Sequence, residues 1–155
     1  LIVLKEAGLT AACSSSCSSD CDCSSRGLNS VPQDLPTTIT QLNFNKNSIT
    51  NLSQSDVSKY TKLKLLSLAE DNISIVNQYA FSNLTELQTL YLTSNEITYI
   101  QPGTFSGLLQ LQTLLLNDNH ITNIDTATFS ELPKLMLLWL QNNQITDIKP
   151  DTFSN

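Results

Sequence analysis

The chain has 155 residues, of which 14% are charged, and carries a formal net charge of −6, a length suited to a single domain. Such acidity argues against nucleic acid or an anionic membrane surface as partner, because both need a positive patch and the eight basic residues are scattered. No apolar run reaches the ~18 residues of a membrane-spanning helix, so no insertion into a membrane is expected.

Residues 1–12 read as an N-terminal extension. Leu1-Ile2-Val3-Leu4 is apolar, but Lys5 and Glu6 interrupt it, which makes a poor signal-peptide core. The segment is read as a signal remnant or an expression-derived extension. Cys13, Cys17, Cys21 and Cys23 follow within eleven residues. A compact even set of this kind forms either disulfides or a metal site. Zinc sites usually pair well-separated couples, and the single histidine, His120, is distant. Disulfides are therefore preferred, and they imply an oxidising compartment. No metal or cofactor is expected.

From residue 39 to residue 155 the chain repeats every 24 residues, in five copies starting at 39, 63, 87, 111 and 135. The fourth copy shows the pattern whole: Leu111, Leu114, Leu116, Asn119, Ile121, Ile124, Phe129, Leu132. The third matches it, from Leu87 through Leu90, Leu92, Asn95, Ile97, Ile100 and Phe105 to Leu108, and the fifth runs from Leu135 to Phe153. The first two are looser, and the second has Asp71 where the others have Asn47, Asn95, Asn119 and Asn143. The apolar pair two residues apart, with polar neighbours, predicts a short strand with one buried face. Stacking the copies then builds a parallel sheet with ~4.8 Å between strands. No copy can bury its apolar side alone, so the array is stable only as a stack. The four asparagines are read as a structural ladder that satisfies turn backbone groups, with Asp71 as a weaker rung because it accepts but does not donate. Prolines at 102 and 150 argue against long helices in the returning segments. Short 3₁₀ or irregular turns are expected there, with Phe81, Phe105, Phe129 and Phe153 stacked as an inner spine.

Asn51, Asn72 and Asn83 each open an Asn-x-Ser/Thr sequon, hence candidate N-glycosylation sites. They fall outside the strand positions, so glycans there leave the strand face open.

Residues 39–155 resemble the extracellular, 24-residue leucine-rich-repeat family, through Leu-x-x-Leu-x-Leu-x-x-Asn-x-Ile-x-x-Ile followed by Phe-x-x-Leu. Residues 13–38, with Cys21-Asp22-Cys23 and the stretch to Leu35-Pro36, are similar to that family's cysteine-rich N-terminal cap. The resemblance extends to the variable lymphocyte receptors of jawless vertebrates, and further off to Toll-type and Slit-type ectodomains. It implies an α/β solenoid, a right-handed horseshoe with the parallel sheet of short strands on its concave face and irregular turns on its convex face. By analogy it favours Cys13–Cys21 and Cys17–Cys23 bridges, although three pairings are open. No C-terminal cap follows Asn155, so the edge of the last coil is a candidate for self-association.

The outward strand positions form columns, and Leu65, Ser67, Tyr91, Thr93, Thr113, Leu115, Asn117, Leu137, Trp139 and Gln141 are the candidate ligand-binding residues. Tyr91, Leu115, Leu137 and Trp139 form an apolar cluster of the kind that marks interfaces. The expected function is recognition of a protein or glycan ligand by a secreted or cell-surface receptor of immune type, with adhesion or matrix interaction as the alternative. No pairing of nucleophile and base, phosphate loop or metal spacing appears, so no enzyme is expected.

Overall fold

A computed structural model describes residue 13 and residues 17–154; the extension at residues 1–12 lies outside the described residues. Six three-residue strands build one parallel sheet: β1 (Asp20–Asp22), β2 (Gln41–Asn43), β4 (Leu65–Ser67), β6 (Thr89–Tyr91), β7 (Thr113–Leu115) and β8 (Leu137–Trp139), adjacent in that order. From β2 onward the register advances by one repeat per strand, Gln41 opposite Leu65, Leu65 opposite Thr89, Thr89 opposite Thr113 and Thr113 opposite Leu137. From β2 to β8 the sheet is thus the lateral sum of four identical 24-residue steps, with β1 joined to β2 by a shorter one, and the whole is a parallel-strand solenoid of about five turns.

The middle residue of each strand points inward. Cys21, Leu42, Leu66, Leu90 and Leu114 are buried, and Leu138 is partly so. Each is joined by the apolar residues of its own coil, so the core is one continuous cluster from Cys13 to Leu132. Phe81, Phe105, Phe129 and Phe153 stack with ring centroids 6.4, 6.2 and 5.8 Å apart and planes within 13° of parallel, the spine expected from the repeat. Offset-stacked rings at this spacing add to the area they bury.

The returning segments are mostly turns. A single α-helical turn, α1 (Gln54–Val57), stands in the first coil, where Asp56 Oδ2 accepts the Ser53 amide at 2.7 Å and so closes its start. On the flank a second ladder runs parallel to the first: β3 (Asn51–Leu52) pairs with β5 (Ile75–Val76), and single bridges Tyr99–Asn123 and Asn123–Asp147 continue it.

Gly107 fixes how closely the second and third coils pack. Its φ is +87°, and a Cβ there would lie 2.7 Å from the Ser82 carbonyl oxygen. Both the left-handed backbone and the contact exclude a side chain. Gly107→Ala is expected to cost ~2–4 kcal/mol in urea unfolding; a change under ~0.5 kcal/mol would show that the coils part freely at this point.

The disulfide pairing differs from the analogy. Cys13 joins Cys23 and Cys17 joins Cys21, with Cα–Cα distances of 5.4 and 4.9 Å, in place of Cys13–Cys21 and Cys17–Cys23. The reason lies in β1. Cys21 sits mid-strand, opposite Leu42, and Cys23 lies just past the strand end, where its amide donates to Asn43 O at 2.8 Å. Cys17 bridges to Cys21, four residues on, inside the ten-residue Cys13–Cys23 bridge, so the bridges nest.

Candidate functional site

Left-handed backbone recurs at the same point of every coil. Lys46, Glu70, Ser94, Asp118 and Asn142 have φ between 56° and 60°. This turns each coil out of its strand and brings the following residue inward. That inward residue is the ladder. Asn95 Nδ2 donates to Leu68 O at 2.8 Å and Leu92 O at 3.1 Å, while its Oδ1 accepts the Ile73 amide at 3.0 Å. Asn119 and Asn143 repeat the arrangement one and two coils on, and Asn47 ties the first coil to Cys23 O at 2.9 Å. The strand face is therefore set on backbone whose polar groups are already satisfied.

On that face one column reads Asn43, Ser67, Tyr91, Leu115, Trp139 and its neighbour Gln41, Leu65, Thr89, Thr113, Leu137, in strand register. Tyr91, Leu115, Thr113 and Leu65 are partly exposed, and Trp139 and Leu137 are about two-fifths exposed. Among the described residues β8 has a strand on one side only, which adds to the exposure of its side chains. Beside the apolar column runs a polar margin: Thr93 Oγ1 donates to Asn117 Oδ1 at 3.0 Å, Asn117 Nδ2 to Asp118 Oδ2 at 2.6 Å, and Asn142 Nδ2 to Asp118 Oδ1 at 2.8 Å. Gln141 stands exposed at the end of that margin. The arrangement is an apolar strip with one hydrogen-bonded polar edge.

Two candidate residues depart from the sequence reading. Ser67 and Asn117 are buried, 4% and 8% exposed. Each is folded into a neighbour: Ser67 Oγ donates to Asn45 Oδ1 at 2.6 Å, and Asn117 is held between Thr93 and Asp118 as above. They brace the face and offer it little surface. Leu65 lies apart from the aromatic strip, in a shallow cavity of ≈ 200 Å³ lined by Asp20, Cys21, Asp22, Gln41 and Asn43. The contribution of β1 to this part of the face escaped the sequence reading, although the alternation Asp20-Cys21-Asp22-Cys23 carries the strand signal with cysteine in place of leucine. Within the cavity wall, Ser24 bonds to the Asp22 carboxylate through its hydroxyl and its amide, and this holds the Asp22 pKa below its usual value.

The three sequon asparagines, Asn51, Asn72 and Asn83, are exposed. Asn51 belongs to the flank strand β3, away from the main sheet. The flank also exposes Ile75, Tyr79 and Tyr99, each between 45% and 49%; the Tyr99 hydroxyl donates to Asp125 at 2.9 Å, and this bond raises its pKa.

A stack of equal coils with one open strand face defines the class, a repeat solenoid. The chain belongs to the leucine-rich-repeat family, whose model matches residues 37–97, 61–121 and 109–155. Among curated proteins none matches by sequence. Among solved structures the chain is similar to TLR13 in its complex with ssRNA13, with 32% identity and a TM-score of 0.79 over 83% of this chain and 18% of that one. It is similar to a chain of the mouse RP105/MD-1 complex, with 27% identity and a TM-score of 0.78 over 84% of this chain and 22% of the other. It is also similar to an internalin, InlF, of Listeria monocytogenes, with 31% identity and a TM-score of 0.61 over 76% and 33%. The chain therefore spans about a fifth to a third of the length of these proteins. The TLR13 structure is a complex with ssRNA13, so the fold does not itself exclude nucleic acid; the expectation against it rests on the net charge of −6 and the scattered basic residues of this chain.

Proposed function

We propose that the chain is a ligand-recognition module of an extracellular, receptor-type protein, and that it takes a protein or glycan ligand on the strand face between β6 and β8. The observation that carries this reading is the apolar strip Tyr91–Leu115–Trp139 with its pre-bonded polar edge, Thr93, Asn117, Asp118 and Asn142. Aromatic anchors beside a satisfied polar rim are the usual source of interface energy. Similarity to TLR13 and RP105 structures supports the receptor character. Two disulfides support an oxidising compartment, and the cysteine-rich segment would close the N-terminal end of the core as a cap. N-linked glycans on Asn51, Asn72 and Asn83 would lie off the strip and leave it open.

An array of glycans, proteins and microbial surfaces tests the reading. Tyr91→Ala and Trp139→Ala should each weaken any binding found there by ~2 kcal/mol or more, about 30-fold, while Tyr79→Ser on the flank should leave it unchanged. The reverse pattern would move the site to the flank. The exposed trio Ile75, Tyr79 and Tyr99 supports that second reading, adhesion through the side of the solenoid, whose mark would be binding or self-association lost on Tyr79→Ser and Tyr99→Ser.

A further inference from the structure

Asp71 occupies the one rung of the ladder where a carboxyl replaces a carboxamide. In the other rungs Nδ2 donates twice, to the strand-end carbonyl of its own coil and to that of the coil before. Asn47 reaches Phe44 O and Cys23 O at 2.9 Å each, and Asn143 reaches Leu140 O and Leu116 O at 2.9 Å each. Asp71 is 4% exposed. Its Oδ1 accepts the Asn47 amide at 3.0 Å, whereas the oxygens of Asn95, Asn119 and Asn143 take the amides of Ile73, Ile97 and Ile121, and its Oδ2 is buried with no hydrogen-bond partner. The equivalent carbonyls for this rung are Phe44 O and Leu68 O, which are acceptors only. An ionised carboxylate has no proton to offer these carbonyls, whereas a protonated one supplies a donor, as Nδ2 does elsewhere.

We propose that Asp71 is carried in the folded chain as the neutral acid, its carboxyl proton replacing an asparagine donor, so that the join between the first and second coils is firm in acid and loosens as the pH rises. Burial pushes its carboxyl up to about 7, against the amides of Asn47 and Ile49, which pull it down. Charged side chains on the packed turns point to other partners, although Arg26 Nε is itself buried without one. Lys46 pairs with Glu70 at 3.8 Å in solvent, Glu96 pairs with His120 at 3.0 Å, and Arg26 Nη2 donates to Asp22 O at 3.3 Å. None of them is among the causes of the shift.

The sign follows from linkage. A carboxyl whose folded value lies above its unfolded value binds its proton more tightly in the folded chain. Its stabilisation is complete below the unfolded value, near 3.8, and is lost as the pH rises toward about 7. The lowered carboxyls, Asp22 and Glu86, act in the opposite sense and only at more acid pH.

Urea unfolding of the oxidised chain at about pH 5 and about pH 8, parent against Asp71→Asn, tests the proposal. In the parent the unfolding constant should rise about tenfold or more between the two. In Asp71→Asn the rise should largely disappear, and the variant should be the more stable protein at about pH 8. Infrared difference spectra provide the second measurement: a protonated carboxyl band should persist in the folded parent at about pH 6, where exposed carboxylates are ionised, and vanish in Asp71→Asn. A pH dependence equal in both proteins, or a parent without that band, overturns it.

Discussion

Phe105→Ala should destabilise the chain by ~3–5 kcal/mol. Phe105 is 2% exposed and lies between two partners, its ring 6.4 Å from Phe81 and 6.2 Å from Phe129. Removing it leaves a cavity in the middle of a stack, where neither coil can close the gap without breaking its strand register. Phe153, at the end of the same spine and about half exposed, has one aromatic neighbour, and Phe153→Ala should cost ~1–2 kcal/mol, since only part of its surface leaves water. Urea midpoints for the two variants check the contrast. Equal losses would mean that the spine is not what couples successive coils.

The second large effect is expected at Asn119. Its Nδ2 serves Leu92 O and Leu116 O, at 2.9 and 3.1 Å, and its Oδ1 takes the Ile97 amide at 3.1 Å. The two carbonyls each keep a second donor, Asn95 Nδ2 and Asn143 Nδ2 respectively. In Asn119→Leu the Ile97 amide is the group left buried and unpaired, and the expected cost is ~2–4 kcal/mol from that orphan and the weakened carbonyls. Amide exchange should locate the damage, with protection lost first at Ile97. Loss spread evenly over all coils would contradict the view that each rung serves its two neighbours.

The parts of this structure legible in the sequence are those that recur. A constant 24-residue step with no insertion fixed the strands, the inward leucines and the phenylalanine spine, because the same chemistry is stated five times. What does not recur was missed. β1 is a strand of the same sheet, but its inward residue is Cys21, and its step to β2 is 21 residues, from Asp20 to Gln41. The β3–β5 ladder is two residues long, too short to show a period. Four cysteines allow three pairings, and spacing alone does not choose among them. Ser67 and Asn117 sit at outward repeat positions, yet short polar side chains at a strand margin fold back onto neighbouring amides and hydroxyls. Asp71 was legible as a poor rung; its unpartnered oxygen was visible only once the coils were stacked.

The single tryptophan of the chain, Trp139, lies at the exposed end of the proposed strip and reports on it directly. Titration with a partner found by the array should shift its fluorescence to shorter wavelength and protect it from acrylamide, as water leaves the strand face. Saturating binding with no change in its emission or quenching would place the contact elsewhere on the solenoid.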